Sequence, residues 1–194
     1  MTMSRRSVLS VLLVALFSLS VEGVSIALGD SHSCALLADA TVKCWGDNQY
    51  GQLGDGTTIS ERTTPFEVSG ITTATSIALG NDHSCAVLAD ATVKCWGYNY
   101  YSQLGDGTNT TRNSPVEVLG ITTAVSIALS DSHSCVLLTD GTVECWGRNS
   151  YGKLGDGTST DRNSPVKVSG LIAGITKATS IALGREYSCA MLSD

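Results

Sequence analysis

One segment occurs three times along this 194-residue chain, and this repetition restricts the fold more than any other feature. The copies begin at Cys34, Cys85 and Cys135, and each ends in Leu-Gly-Asp-Gly-Thr. Successive copies are 51 and then 50 residues apart. A period near 50 residues is too long for leucine-rich, ankyrin or tetratricopeptide repeats, and it is typical of a propeller blade of four short strands.

Short β-prone segments, separated by Gly, Asp or Asn, fill each period. In the second copy they are 76–79, 84–88, 92–96 and 115–118, and the last could close one blade or open the next. No segment keeps the periodicity of a helix, so we expect an all-β fold. We divide the chain approximately into units 21–70, 71–120, 121–170 and a partial unit 171–194.

Each copy carries two cysteines with nine residues between them, around a turn-like segment. If these residues form a hairpin in which the numbers of paired residues sum to 78, Leu36 faces Val42 and Cys34 faces Cys44. Directly opposed residues have Cα atoms about 4.5–5.5 Å apart, within disulfide range. We therefore predict three disulfides, Cys34–Cys44, Cys85–Cys95 and Cys135–Cys145, and we expect Cys189 to be unpaired.

A zinc site is the alternative use of these cysteines. His32, His83 and His133 stand two residues before the first cysteine of each pair and could supply a further ligand. However, the fourth repeat has Tyr187 at this position, and no other ligand recurs at a regular offset. We expect hydrogen-bonded histidines and predict neither a metal nor a cofactor.

The first 20 residues have a different character. Two arginines precede the apolar run 8–19, which is too short to span a bilayer but suits a signal peptide. We predict a signal peptide over 1–20, cleaved after Ser20 or Gly23. An uncleaved anchor and a twin-arginine signal are the alternatives. We expect a secreted, periplasmic or cell-surface protein, because an oxidising compartment permits disulfides.

No catalytic set emerges from the sequence. Asp55, Asp106 and Asp156 lie between glycines and are interpreted as turn residues. A Ser nucleophile elbow, a calcium loop and a phosphate-binding glycine loop are all missing from the sequence. A catalytic group need occur only once, whereas these aspartates recur in every full copy. We therefore predict that the protein is not an enzyme.

The segment 44–57, CWGDNQYGQLGDGT, resembles the signature of regulator-of-chromosome-condensation repeats, W-G-x-N-x-x-G-Q-L-G. The second copy departs from it at Ser102 and the third at Lys153. The resemblance extends from about residue 21 onward and implies a seven-bladed β-propeller. This chain would hold about three and a half blades, as a fragment or as a unit completed by association.

The resemblance implies two different functions. One branch of the family exchanges guanine nucleotides on a small nuclear GTPase. A secreted bacterial branch includes an inhibitor that blocks an enzyme with one propeller face. The signal peptide and the cysteine pairs place this chain beside the secreted branch.

Tryptophan follows the second cysteine in each copy, at Trp45, Trp96 and Trp146. Neighbouring residues of a strand point to opposite faces, so these rings lie on the face away from the cysteines. We expect them to pack between blades. The alternative is a set of exposed rings that hold sugars or a peptide.

Residues that differ between copies are the candidates for binding, because function is grafted onto the loops of a repeated scaffold. We select Tyr98, Tyr100, Tyr101, Arg148 and Arg162, whose side chains are typical of interface anchors. The net charge of −6 and the lack of a basic cluster disfavour nucleic acid and anionic membranes.

We therefore predict a secreted, non-enzymatic scaffold that binds a protein, or alternatively a glycan, through variable rim loops. The other hypotheses are a guanine-nucleotide exchange factor and an enzyme whose active site lies in a part of the protein beyond this chain.

Overall fold

Four consecutive β-sheets form the protein in a computed structural model that describes residues 24–169 and 177–193. The predicted signal peptide and the additional residues at 171–174 lie outside the described residues. The strands are β1 (Ser25–Leu28), β2 (His32–Leu36), β3 (Val42–Asp47), β4 (Glu61–Glu67), β5 (Ala74–Leu79), β6 (His83–Leu88), β7 (Val93–Gly97), β8 (Arg112–Glu117), β9 (Ala124–Leu129), β10 (His133–Leu138), β11 (Val143–Gly147), β12 (Arg162–Lys167), β13 (Ala178–Leu183) and β14 (Ser188–Leu192).

Each sheet is an antiparallel meander of strands that follow one another in the chain. The strand orders are β1-β2-β3-β4, β5-β6-β7-β8, β9-β10-β11-β12 and β13-β14. The segment around 115–118, which the sequence left ambiguous, closes its blade because β8 pairs with β7. The described residues thus contain three four-stranded blades and two strands of a fourth, with β1, β5, β9 and β13 side by side at the centre.

The hairpin register has the pairing that the cysteine spacing predicts. Cys34 faces Cys44 and Leu36 faces Val42, and the Cα atoms of the two cysteines are 4.1 Å apart. The other two cysteine pairs have the same Cα separation of 4.1 Å, and all three pairs lie at disulfide distance. Cys189 is exposed and has no disulfide partner within the described residues.

The turn of each hairpin requires one residue in the left-handed region. Ala40 and Ala91 have φ of 64° and 62°, and Gly141 has φ of 82°. This conformation costs a residue with a Cβ atom roughly 1–2 kcal/mol. At Gly141 a Cβ atom would also overlap Cβ of Lys177, so glycine is needed there.

Apolar residues of adjacent blades pack against each other and form the core. Between the first two blades, the Cys34–Cys44 disulfide of one blade contributes to the same cluster as Trp96 of the next. Trp96 and Trp146 are fully buried, which confirms that these rings pack between blades, and Trp45 is half-buried. No helix within the described ranges is long and apolar enough to cross a membrane.

Candidate functional site

Two sets of loops meet at one end of the blades. The antiparallel order brings the short connection after each inner strand and the long connection before each outer strand to the same edge of the sheet. We call this surface the loop face. Its short loops are 29–31, 80–82, 130–132 and 184–187, and its long loops are 48–60, 98–111 and 148–161.

A buried asparagine organises each long loop. Asn99 is 0% exposed; its Nδ2 donates to the carbonyl of Thr108 at 3.2 Å, and its Oδ1 accepts a hydrogen bond from the backbone N–H of Leu104 at 3.0 Å. Asn48 and Asn149 make equivalent bonds. These residues were not selected from the sequence as organisers of the loops, although their presence in every copy was a signal for that role.

An aspartate–arginine pair braces each loop further. In the third blade, Arg162 donates from Nε to Asp156 at 2.7 Å, and its Nη2 lies 2.7 Å from the same carboxylate. Burial opposes ionisation, but hydrogen bonds from Thr158 and the contact with Arg162 outweigh it and lower the pKa of Asp156 to about 2. Equivalent pairs are Asp55–Arg62 and Asp106–Arg112.

Arg162 was selected from the sequence as a binding residue. The structure places its guanidinium in this loop-bracing ion pair, which recurs in every complete blade. Our proposals below therefore rest on the other four candidates.

A chain of hydrogen bonds links each blade to the next. Nε2 of His32 lies 2.8 Å from the hydroxyl of Ser84, and Ser84 donates to the carbonyl of Gln52 at 2.8 Å. The indole N–H of Trp96 donates to the same carbonyl at 2.9 Å. The set recurs between the second and third blades as His83, Ser134, Gln103 and Trp146.

This arrangement fixes the protonation of the histidines. The one hydroxyl proton of Ser84 goes to the Gln52 carbonyl, so the ring of His32 must donate from Nε2, which leaves its buried Nδ1 without a proton. Burial lowers the pKa of His32 to about 4, of His83 to about 3 and of His133 to about 4. The histidines are neutral connectors between blades, and the cysteines beside them lie at disulfide distance from each other, so within the described residues these side chains do not form the His–Cys ligand set of the zinc alternative.

Four tyrosines form a continuous row on the loop face. The ring centroids of Tyr50 and Tyr98 are 4.7 Å apart, those of Tyr98 and Tyr100 are 6.4 Å apart, and those of Tyr100 and Tyr101 are 5.0 Å apart. The guanidinium of Arg148 lies 4.8 Å from the Tyr101 centroid. We call the four tyrosines the tyrosine row; it runs from the first blade across the second, and Arg148 of the third blade lies at its end.

The structure thus brings together four of the five residues selected from the sequence and adds Tyr50. Tyr50 was not selected from the sequence, although it occupies the same repeated position as the selected Tyr101 and as Tyr151, and this shared position was a signal that could have found it. Tyr151 does not belong to the row. Tyr50 and Tyr100 are 40% and 66% exposed, so the row offers ring surface to a partner.

Two models of the Regulator of chromosome condensation (RCC1) repeat match this chain. One matches residues 24–52, 74–103 and 124–153, and the other matches 40–87, 91–137 and 140–191, which is more than half of the chain. The chain belongs to the RCC1 repeat family.

Several curated proteins share these RCC1 repeats. The probable E3 ubiquitin-protein ligase HERC4 of Homo sapiens is 36% identical over 87 residues, which are 44% of this chain and 8% of HERC4. The ultraviolet-B receptor UVR8 of Arabidopsis thaliana is 38% identical over 89 residues, which are 44% of this chain and 20% of UVR8. The chain thus matches a fifth or less of the length of these relatives.

Solved structures show the same propeller architecture. Human WBSCR16 superposes with a TM-score of 0.77 at 24% identity, over 88% of this chain and 45% of WBSCR16. Prp20p of Saccharomyces cerevisiae gives a TM-score of 0.77 at 22% identity, over 88% of this chain and 44% of Prp20p. At these identities the likeness establishes the fold.

One position of the RCC1 repeat carries a different chemistry in each blade: Asp47, Tyr98 and Arg148. In the first blade, Nε2 of Gln52 donates to Asp47. In the second blade Tyr98 replaces the acid, and Nε2 of the buried Gln103 has no hydrogen-bond partner within the described residues. An unsatisfied buried amide costs about 1–3 kcal/mol. Compared with an acid at this position, Tyr98 therefore lowers the stability of the fold, and it places an aromatic ring on the loop face.

Carboxylates surround the blade 1 and blade 2 end of the tyrosine row. Burial raises the pKa of Asp82, and the negative charges of Asp47, Asp30 and Asp131 raise it further. Asp131 is paired with Arg185 at 2.9 Å. Asp30, Asp47 and Asp82 form no ion pair with any residue that the structure describes. This end of the loop face therefore has a negative electrostatic potential.

Proposed function

We propose that this chain is part of a secreted, non-enzymatic RCC1-type scaffold that recognises a protein partner through the loop face. The observation that carries the proposal is the tyrosine row. Tyrosine is enriched at interface hot spots, because it buries a large area at a low cost in conformational entropy. Rigid blades hold the loops that present the rings, which lowers the cost of ordering them on binding.

The hydrogen bonds and ion pairs of the repeated polar residues support a non-catalytic role. The hydroxyls of Ser84 and Ser134 are buried and donate to carbonyls, so their protons do not go to the histidines next to them in space. Each Asp156-type carboxylate is bound to an arginine and to the turn that follows it. These groups connect structural elements and are not available to a substrate.

The three cysteine pairs at disulfide distance support an oxidising compartment. Prp20p, which shares the fold, binds Gsp1p and histones, and this supports a protein as the class of partner. A guanine-nucleotide exchange factor would instead work in a reducing compartment with free thiols. Localisation of the tagged chain and a count of its free thiols distinguish the two hypotheses: we expect export and one free thiol, whereas an internal location with seven thiols would contradict secretion.

Partner capture from the native medium tests recognition by the loop face. We expect Tyr100→Ala and Tyr101→Ala to weaken binding of the captured partner, at least one of them by more than about fivefold, as a hot spot requires. Glu117→Gln, an exposed change at the far end of β8, is the matched control and should have no effect. Unchanged binding in both tyrosine variants would refute the assignment of the surface.

A further inference from the structure

The tyrosine row already holds one cation, and this indicates what else it can bind. Arg148 lies over Tyr101 at 4.8 Å, and its Nε donates to the hydroxyl of Ser150 at 2.9 Å, which keeps the guanidinium in place. A cation over an aromatic face is attracted by the ring quadrupole. The other three rings of the row carry no such cation among the described residues.

The charges beside these three rings complement a cation. Asp82 lies beside Tyr98: its negative charge acts on the Tyr98 hydroxyl, and its carbonyl accepts the backbone N–H of Tyr98 at 2.8 Å. Asp47 occupies the position in the first blade that Tyr98 occupies in the second, so it lies at the same height on the loop face. The nearby arginines already have carboxylate partners: Arg62 pairs with Asp55, Arg112 with Asp106 and Arg185 with Asp131.

The presence of tyrosine at position 98, where the first blade has an aspartate, indicates independently that the ring serves to contact a partner. An aspartate there would satisfy the buried Nε2 of Gln103, as Asp47 satisfies Gln52. Tyr98 leaves that amide unpaired and joins the rings of Tyr50 and Tyr100 into one surface.

We propose that the partner of the loop face presents a basic segment, whose arginine or lysine side chains lie on Tyr50, Tyr98 and Tyr100 between the carboxylates of Asp47 and Asp82. This inference rests on the proposed recognition function and names the chemistry of its partner. The rings hold the cationic groups by cation–π attraction, the carboxylates supply charge complementarity, and Arg148 limits the segment at the third blade by repelling further positive charge.

Fluorescence anisotropy of a labelled hexa-arginine peptide, with the oxidised chain at low salt, tests the ligand class. We expect saturable binding that weakens about two- to fivefold in Asp82→Asn and in Tyr100→Ala, because exposed ion pairs and cation–π contacts have this strength. Glu117→Gln removes the same charge away from the loop face and should leave the affinity unchanged, which separates a local site from the general attraction of an acidic protein.

Three outcomes would overturn the basic segment. They are the absence of hexa-arginine binding, equal weakening by Asp82→Asn and Glu117→Gln, and unchanged affinity in Tyr100→Ala. Near-ultraviolet circular dichroism of each variant confirms that the fold is intact. If the captured native partner still depends on Tyr100 and Tyr101 while hexa-arginine fails, recognition by the loop face stands and the ligand class is wrong. A glycan that binds through the same tyrosines would have the same consequence.

Discussion

The buried histidines predict that this protein loses stability in mild acid. The chain contains three histidines in total, and all three connect one blade to the next. Their pKa values are lowered from 6.5 to about 4, about 3 and about 4 for His32, His83 and His133. Because the folded pKa is the lower one, the unfolded chain binds protons first. The stability from neutral rings is therefore fully present above about pH 6.5 and is lost as the pH falls towards 4.

The expected magnitude follows from these shifts. At about pH 5 each histidine is almost fully protonated in the unfolded chain and almost fully neutral in the folded one, which costs roughly 2 kcal/mol per residue, or about 6 kcal/mol for all three. The loop-bracing carboxylates do not obscure this window, whereas the raised pKa of Asp82 acts in the opposite direction, because the folded state binds that proton more readily than the unfolded chain does. The pKa values of Asp55, Asp106 and Asp156 are lowered, so the stability that their ionised forms give to the fold is lost only as the pH falls below this window.

His83→Gln is the decisive perturbation. Glutamine retains a donor for the hydroxyl of Ser134 but does not titrate, and His83 is the most strongly shifted of the three. We expect the variant to lose about a third of the pH dependence between pH 8 and 5, whatever its stability at pH 8. Urea unfolding followed by the fluorescence of Trp96 and Trp146, both buried, gives the free energy of unfolding at each pH.

Tyr100→Ala, an exposed change on the loop face, is the control and should keep the full pH dependence. The reasoning is refuted if the free energy of unfolding of the unmodified chain changes by less than about 1 kcal/mol between pH 8 and 5, since three neutral buried imidazoles require more. It is equally refuted if the free energy of unfolding of His83→Gln has the same pH dependence as that of the unmodified chain.

Two further changes test the local structure. Tyr98→Asp should stabilise the fold by about 1 kcal/mol, because the new carboxylate would accept a hydrogen bond from the Gln103 amide. A double-mutant cycle with Gln103→Met, measured by urea unfolding, tests this explanation. If Tyr98→Asp stabilises the Gln103→Met variant by the same amount, the explanation is wrong. Ala91→Gly should stabilise by up to about 1 kcal/mol, because Ala91 has φ of 62°. Ala89→Gly, in the same turn but without positive φ, should instead destabilise, and thermal unfolding that ranks the two variants the other way would oppose this interpretation.

The local part of the fold could be predicted from the sequence because its interactions join residues close in the chain. The two-residue period of a strand and the turn at 38–40 place Cys34 opposite Cys44, and the 50-residue period indicates blades. The resemblance around 44–57 then implied the propeller and the family, which the RCC1 repeat match confirms.

The contacts between blades were decided only by the tertiary structure. His32 and Ser84 are 52 positions apart, and their hydrogen bond depends on how one blade is rotated against the next, which no periodicity within a blade specifies. The tyrosine row depends on the same rotation, so the sequence indicated its candidates but not that Tyr50 completes it. The unpaired amide of Gln103 also needed the structure, because a missing partner is recognised only when every neighbouring group is placed.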